Sequence, residues 1–298
     1  MIFVPSWDEV LNNITAGNGP DNVRKQYLKN LSNYTDRNVI AYYSAFLSPQ
    51  AKTNLDINDD DVNGFMSAIY GMDKKKGLDL ILHTPGGSPT ATEAIVDYLR
   101  NIFGTDIRVI VPQIAMSAGT LIACSAKEII MGKHSSLGPI DPQVNGIPAY
   151  NIVREFTEAK QALSEGKDIE YWKIILPKYP PAFVYHCIDS IDLSDTLACT
   201  WLKTGMFKDD TNADDLAHHV TDSLNEHQQS KNHGRHFGIN QCRKMGLKIL
   251  NLEDDKELQE HVLSVHHAQL LTFTITLATK IIESETKSYI KLAPSNVK

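Results

Sequence analysis

The chain reads as an α/β protein: a parallel β-sheet of βαβ units, preceded by a helical N-terminal segment and followed by a helical C-terminal extension. Three observations predict this. Apolar runs of strand length alternate with amphipathic stretches from about residue 37 to 135, the pattern of parallel strands with crossover helices. Loops of small residues stand directly after two of those runs, "TPGGSP" and "AMSAG". From 149 onward the apolar spacing becomes mainly helical, with Pro and His clusters between the segments. A length of 298 residues, 42% hydrophobic and 22% charged, is enough for one large or two modest domains with a sizeable core.

The elements follow in order. Residues 7–33 carry a helical pattern broken at "GNGP" (17–20), where Gly and Pro punctuate. "RNVIAYYSAFL" (37–47) is apolar and aromatic, a buried strand. "DINDDDVNGFMSAIYGM" (56–72) offers Asp residues as N-caps ahead of a helical periodicity. "LDLILHT" (78–84) is a short strand. The amphipathic helix "TATEAIVDYLRNIF" (90–103) has Thr90 as cap and Glu93 three residues on. "DIRVIVP" (106–112) is a strand, 117–126 a helix and "EIIMG" (128–132) a strand. We divide the chain at 1–36, 37–200 and 201–298.

Several classes of function are set aside by composition. A net charge of −7 argues against a nucleic-acid partner, since phosphate binding needs a basic face. Cys124, Cys187, Cys199 and Cys242 lie far apart with no CxxC pair, so neither a cysteine zinc site nor an oxidised secreted domain is expected. Cys124 and Cys199 stand in apolar contexts and read as small core residues. "MIFVPSWDEVLNN" has no basic n-region and no long h-region, so no signal peptide is expected. "LLTFTITLATKII" (270–282) is too short for a membrane span, which needs roughly twenty residues. The expected location is cytoplasmic, with no stable membrane span.

Ligands of parallel sheets sit at the carboxyl ends of the strands, where the two small-residue loops stand. Gly86 and Gly87 have no side chains, so a substrate can approach their backbone N–H groups. Ser117 opens a helix, with its hydroxyl at the positive end of the dipole beside free N–H donors. A serine there plus a Gly-Gly pair suggests a nucleophile and an oxyanion hole, with Ala118 and Gly119 leaving space for an acyl group. N-capping alone also accounts for a serine at such a junction, and PGG is a common turn.

A serine nucleophile needs a base, and three residues compete: His83 before the PGG loop, His134 in "GKHSSLGP", and Lys160. In "NIVREFTEAKQAL" (151–163), Ile152, Val153, Phe156, Ala159 and Leu163 share one arc at about 100° per residue. Lys160 falls within that arc between Phe156 and Val153. A lysine inside an apolar stripe would be partly desolvated, which favours the neutral amine. A snorkelling stem with a wet ammonium is the alternative.

The stretch "HTPGG…AMSAGTLIACSAKEIIMGKHSSLGPIDPQ" resembles the Clp-fold serine proteases of the wider Clp protease and crotonase superfamily. Within them it resembles the serine dehydrogenase proteinases, relatives of signal peptide peptidase A. The resemblance is specific over about 76–145 and looser beyond. It implies a Clp protease/crotonase-like fold, with Ser117 as nucleophile, Ala118 as the second oxyanion donor and Gly86 or Gly87 as the first. Where the histidine-using branch places its base, this chain reads "SSLGPIDPQ", with Ile140 and Asp141 and no histidine. The signal-peptide-peptidase branch uses a lysine some forty to fifty residues past the serine, which Lys160 fits. The serine that orients that lysine corresponds to Ser136.

The resemblance therefore implies a serine peptidase acting on peptide or protein substrates through an acyl-enzyme and a Ser117–Lys160 dyad, without a cofactor. It also implies a homo-oligomer. A crotonase-like enzyme of acyl-CoA thioesters and an inactive Clp-fold scaffold are the rivals. Late histidines gather in "AHHV" (217–220), "HQQSKNHGRHFG" (227–238) and "VHHAQ" (265–269). His233 and His236 are spaced HxxH, but no carboxylate or cysteine sits at a diagnostic offset, so no metal site is expected. Surface and helix-end positions are the ordinary reading of these residues.

Overall fold

The structure, a computed structural model, describes residues 6–49, 53, 55–225 and 232–294. Two helices open the chain, α1 (Trp7–Asn13) and α2 (Pro20–Thr35), joined across a kink at Gly17, whose φ is 97°. The sheet then forms from β1 (Asn38–Ser44), β2 (Leu78–His83), β3 (Ile107–Val111) and β5 (Glu128–Met131). These strands run parallel and side by side. Every residue of β1 and β2 is buried, as expected of strands covered on both faces. Helices α3 (Asp61–Ile69), α4 (Pro89–Phe103) and α5 (Ala118–Cys124) make the crossovers.

Side-chain alternation sorts the core into two layers. Ile40, Tyr42, Leu80, Leu82, Val109 and Val111 face α3, α4 and α5. Val39, Tyr43, Ile81 and Ile110 face α2 and a long helix, Lys256–Ile275. The acid in β2, Asp79, is fully buried but carries Arg108 at 2.6–2.7 Å and Arg37 at 2.7 Å, the pairing a buried carboxylate requires.

The C-terminal half is helical in α6 (Ala149–Ser164), α7 (Ile169–Ile175), α8 (Phe183–Thr204) and α9 (Ala213–Asn225). It also supplies β9 (Ile249–Asn251), β10 (Ala278–Glu283) and β11 (Ser288–Leu292), which complete a sheet of order β11-β10-β1-β2-β3-β5-β9. β9 is parallel to β5, whereas β10 and β11 are antiparallel additions beside β1. The run 270–282 is thus not one segment: the helix stops at Ile275, with Thr276 already extended, and a strand begins at Ala278. One expected cap also moves. The α4 cap is Ser88 rather than Thr90, its hydroxyl accepting from Ala91 N–H. The acidic run does supply the N-cap position of α3, Asp60, with the helix beginning at Asp61.

None of the helices formed by the described residues is long and apolar enough to cross a membrane.

Candidate active site

The strand ends expected to carry chemistry come together. A two-residue strand β4 (Ile114–Ala115) follows β3, and it pairs with the start of the glycine loop. Thr84 N–H donates to Ile114 O and Met116 N–H to Thr84 O, both at 3.1 Å. The chain then turns sharply into α5. Ser117 sits on the turn at φ 52°, ψ −116°, a conformation that costs a non-glycine residue on the order of 1–3 kcal/mol. A strained, half-buried serine between strand and helix, lining a cavity at the carboxyl ends of the strands, has the backbone geometry of a nucleophile elbow. Gly119 makes the turn feasible, because a Cβ there would stand 2.5 Å from Thr84 Cγ2.

The glycine loop packs against this turn. A Cβ on Gly86 would lie 2.7 Å from Ser117 Cβ and 3.1 Å from Ala118 N. Gly86 N–H is engaged by Thr84 Oγ1 at 3.2 Å. At Gly87 the flanking groups are the ones used: Ile57 N–H donates to Gly86 O at 2.8 Å and Ser88 N–H donates to Ile57 O at 2.9 Å. The N–H groups of Gly87 and Ala118 have no acceptor among the described residues. Both residues line the same cavity as Ser117. Two unsatisfied donors in one cavity are what an oxyanion hole requires.

The cavity has a volume of about 430 Å³. Pro85, Leu121 and Ile140 line it, as do the tight hairpin of β7 (Gln143–Val144) and β8 (Ile147–Pro148) and one face of α8 through His186, Ser190 and Ser194. Next to Ser194, Asp195 is pushed up to about 6, by burial first and then by Asp222 and Asp192.

His233 also lines this cavity. Its Nδ1 lies 2.7 Å from Oδ1 of Asp141, whose side chain is fully buried. The other carboxylate oxygen accepts from Gln143 Nε2 at 3.0 Å. With Nδ1 committed to the acid, Nε2 is the nitrogen left to act as base. His186 is exposed at the cavity rim, and no carboxylate holds its ring among the described residues.

The other residues expected to join Ser117 are placed elsewhere. Lys160 is exposed on α6 and does not line the cavity. The apolar stripe of α6 buries Ala149, Ile152 and Ala159, but its C-terminal turn runs past its cover. Leu163, central in the stripe, is itself 39% exposed, and the ammonium beside it stays wet. Ser136, in the two-residue strand β6 (Ser136–Leu137), faces a histidine rather than a lysine: its Oγ lies 2.7 Å from His236 Nδ1. His83 is fully buried on the other side of β2, stacked on Tyr43 and bonded to Gln113 at 3.1 Å. Burial pushes its pKa down to about 4, against smaller opposing contributions from Gln113 and the Ser44 backbone. His134 packs its ring against Gly132 and is absent from the cavity lining.

Sequence reading missed His233 because "SKNHGRH" looks like a solvated polar tract. A usable signal was present. In one known arrangement of the Ser, Asp and His of a triad, the acid precedes the histidine along the chain, and Asp141 then His233 follow Ser117 in that order. Among the described residues no group of three or more His, Cys, Asp or Glu converges to hold a metal. His227 of the late histidine tract lies outside the described residues.

Two uncharacterised proteins of Methanocaldococcus jannaschii are similar to part of the chain. One is 45% identical over 98 residues, 33% of this chain and 34% of the relative. The other is 38% identical over 109 residues, 37% of each. The chain thus spans about a third of the length of these curated relatives. The ClpP-like SDH-type serine proteinases match residues 23–249, three quarters of the sequence, and the chain belongs to that family.

Proposed function

We propose that the protein is a serine peptidase in which Ser117, His233 and Asp141 act as nucleophile, base and orienting acid. The carrying observation is the His233–Asp141 hydrogen bond of 2.7 Å at the wall of the cavity that Ser117 lines. Family membership supports the reaction class. His233 takes the place that sequence reading gave to Lys160, which is solvated and so lacks the desolvation a neutral amine base needs.

In this reading Ser117 Oγ attacks the scissile carbonyl carbon and its proton passes to His233 Nε2. The tetrahedral oxyanion is held by the N–H groups of Gly87 and Ala118. Gly86 shapes the loop rather than donating, because its N–H already bonds Thr84. The C–N bond breaks as His233 protonates the leaving amine. Water, deprotonated by the same histidine, then attacks the acyl-enzyme, and proton return regenerates Ser117. Asp141 holds the tautomer and stabilises the imidazolium in both halves. Ser136 fastens the histidine loop through His236.

A homo-oligomer belongs to the same proposal. Ile169, Tyr171 and Ile174 on α7 are 39–64% exposed and Tyr185 on α8 is 68% exposed, large apolar side chains of the kind that interfaces cover.

The test is covalent labelling by a fluorophosphonate. Labelling should vanish in Ser117→Ala, slow at least a hundredfold in His233→Ala and stay within twofold in Lys160→Ala. Thioester turnover without any labelling of Ser117 would favour the crotonase-like rival, and labelling lost in Lys160→Ala would restore the dyad.

A further inference from the structure

The segment before α3 touches the glycine loop, and its own anchorage comes from the other end of the chain. Ile57 forms an isolated parallel bridge with Gly87. The approach is so close that a Cβ on Gly87 would meet Ile57 N at 2.3 Å and Ile57 O at 2.4 Å. The plane of Ile57 therefore decides how the Gly86–Gly87 and Gly87–Ser88 peptides are turned. Both neighbours of Ile57 are tied to one buried ion pair. Lys280 of β10 is fully buried and donates to Asp56 O at 2.7 Å and to both oxygens of Asp61 at 2.8 Å. Asp61 in turn accepts from Asn58 N–H at 3.1 Å, Tyr42 OH at 2.8 Å and Lys291 of β11 at 3.1 Å.

A buried ion pair is a weak source of stability, and apolar replacements of similar volume are often neutral or stabilising. This one does something an apolar pair cannot. Its directed hydrogen bonds fix the main chain on either side of Ile57, at Asp56 and at Asn58. We infer that Lys280, paired with Asp61, is a positioning residue for the reaction at Ser117: through Ile57 it sets the direction of Gly87 N–H. The inference rests on the reading that Gly87 supplies an oxyanion donor.

Loss of a whole oxyanion donor costs about 10²–10³ in kcat, so a donor that is present but misaimed should cost less, about 10–100-fold. The test uses the full-length protein and Lys280→Met, checked by circular dichroism. Three quantities are measured: kcat and KM on a fluorogenic peptide, inhibition by a peptide aldehyde, and binding of the corresponding reduced-amide peptide. The aldehyde adduct places an oxyanion in the hole, whereas the reduced amide has no carbonyl there. The expected result is a 10–100-fold fall in kcat, a parallel loss of aldehyde affinity, and KM and reduced-amide binding within twofold of wild type. An unchanged kcat in folded Lys280→Met, or equal losses for both ligands, would overturn the inference. If Lys280→Met does not fold, Tyr42→Phe removes one bond to Asp61 and is read the same way. A parallel loss of about threefold in kcat and aldehyde affinity supports the inference, and no loss overturns it. Ser117→Ala separates the two levels. If it retains wild-type turnover, the reading of the site fails and takes this inference with it. If it is inactive while the Lys280 and Tyr42 variants behave as wild type, the positioning role alone fails.

Discussion

Asp141→Asn isolates the step that distinguishes the proposed triad from a serine–lysine dyad. The substitution keeps the side chain's shape and leaves an acceptor for His233 Nδ1–H, but it removes the charge. That charge matters when His233 takes the serine proton and becomes an imidazolium. The carboxylate is fully buried, 2.7 Å from Nδ1, in a wall where the histidine side chain is 24% exposed. With charge centres about 4 Å apart and an effective dielectric constant of about 20, the interaction is worth about 4 kcal/mol. At 1.36 kcal/mol per tenfold, the loss corresponds to about 10³ in kcat. An amide that presents its NH₂ to Nδ1 would force the wrong tautomer and add to the loss. KM should stay within about threefold, because the acid does not line the cavity. The assay is steady-state hydrolysis of a fluorogenic peptide by Asp141→Asn and Lys160→Ala beside wild type, with thermal melts to confirm folding. More than a tenth of wild-type kcat in folded Asp141→Asn, or a hundredfold loss in Lys160→Ala, would refute the assignment of the base.

Three further outcomes are expected. Ser117→Gly should abolish turnover yet raise the melting temperature, since glycine adopts φ 52°, ψ −116° without the serine's strain, and about 1 kcal/mol of relief corresponds to roughly 2–4 °C; an unchanged or lower midpoint would mean that the turn is not strained. Gly87→Ala should lower kcat at least a hundredfold and destabilise the fold, because its Cβ meets Ile57 backbone atoms at 2.3–2.4 Å; near-normal activity would show that the loop yields. Stability should fall from pH 7 to pH 5 because of His83, whose folded pKa of about 4 lies below its unfolded value. Between the two the unfolded chain takes up a proton that the native state refuses, at a cost of about 2 kcal/mol at pH 5; His83→Phe should flatten that part of a chemical-denaturation series, and an unchanged slope would contradict it.

The parallel strands β1, β2, β3 and β5 were legible because each carries its own signal. In β1, β2 and β3 nearly every residue is buried, so apolar runs of the right length identify them without reference to partners. The turn at Ser117 and the loop at Gly86 and Gly87 were legible for a related reason: their close packing is local and needs small residues. What the sequence hid is what depends on distant partners. β9 is three residues long and β10 begins within a run that opens as helix, so neither has a period to read. Lys160 shows the limit of helical periodicity itself. The arc is real over Ile152 and Ala159, but an arc tells which way a side chain points and not whether anything lies opposite. Beyond Ala159 too little does, and both Lys160 and Leu163 reach solvent.

The proposed base, His233, escaped notice for a third reason, and it explains how a histidine on an irregular loop can be held firmly enough for the role. Catalytic groups need placement to about half an ångström, which loops alone rarely give. Here the loop is stitched to the strip 136–141 at successive points. Ser136 Oγ meets His236 Nδ1 at 2.7 Å, Leu137 and Phe237 exchange backbone hydrogen bonds of 3.0 and 2.8 Å, and Asp141 meets His233 at 2.7 Å. The same strip grips the nucleophile's helix, because Gly138 N–H donates to Thr120 Oγ1 at 3.0 Å in the first turn of α5. Serine and histidine are therefore referenced to one short segment rather than to each other. Sequence separation then sets no limit on which histidine serves, so long as its loop matches the strip. A search confined to residues near the serine finds the strip, with its Ser136 and Asp141, and misses the histidines those two residues hold.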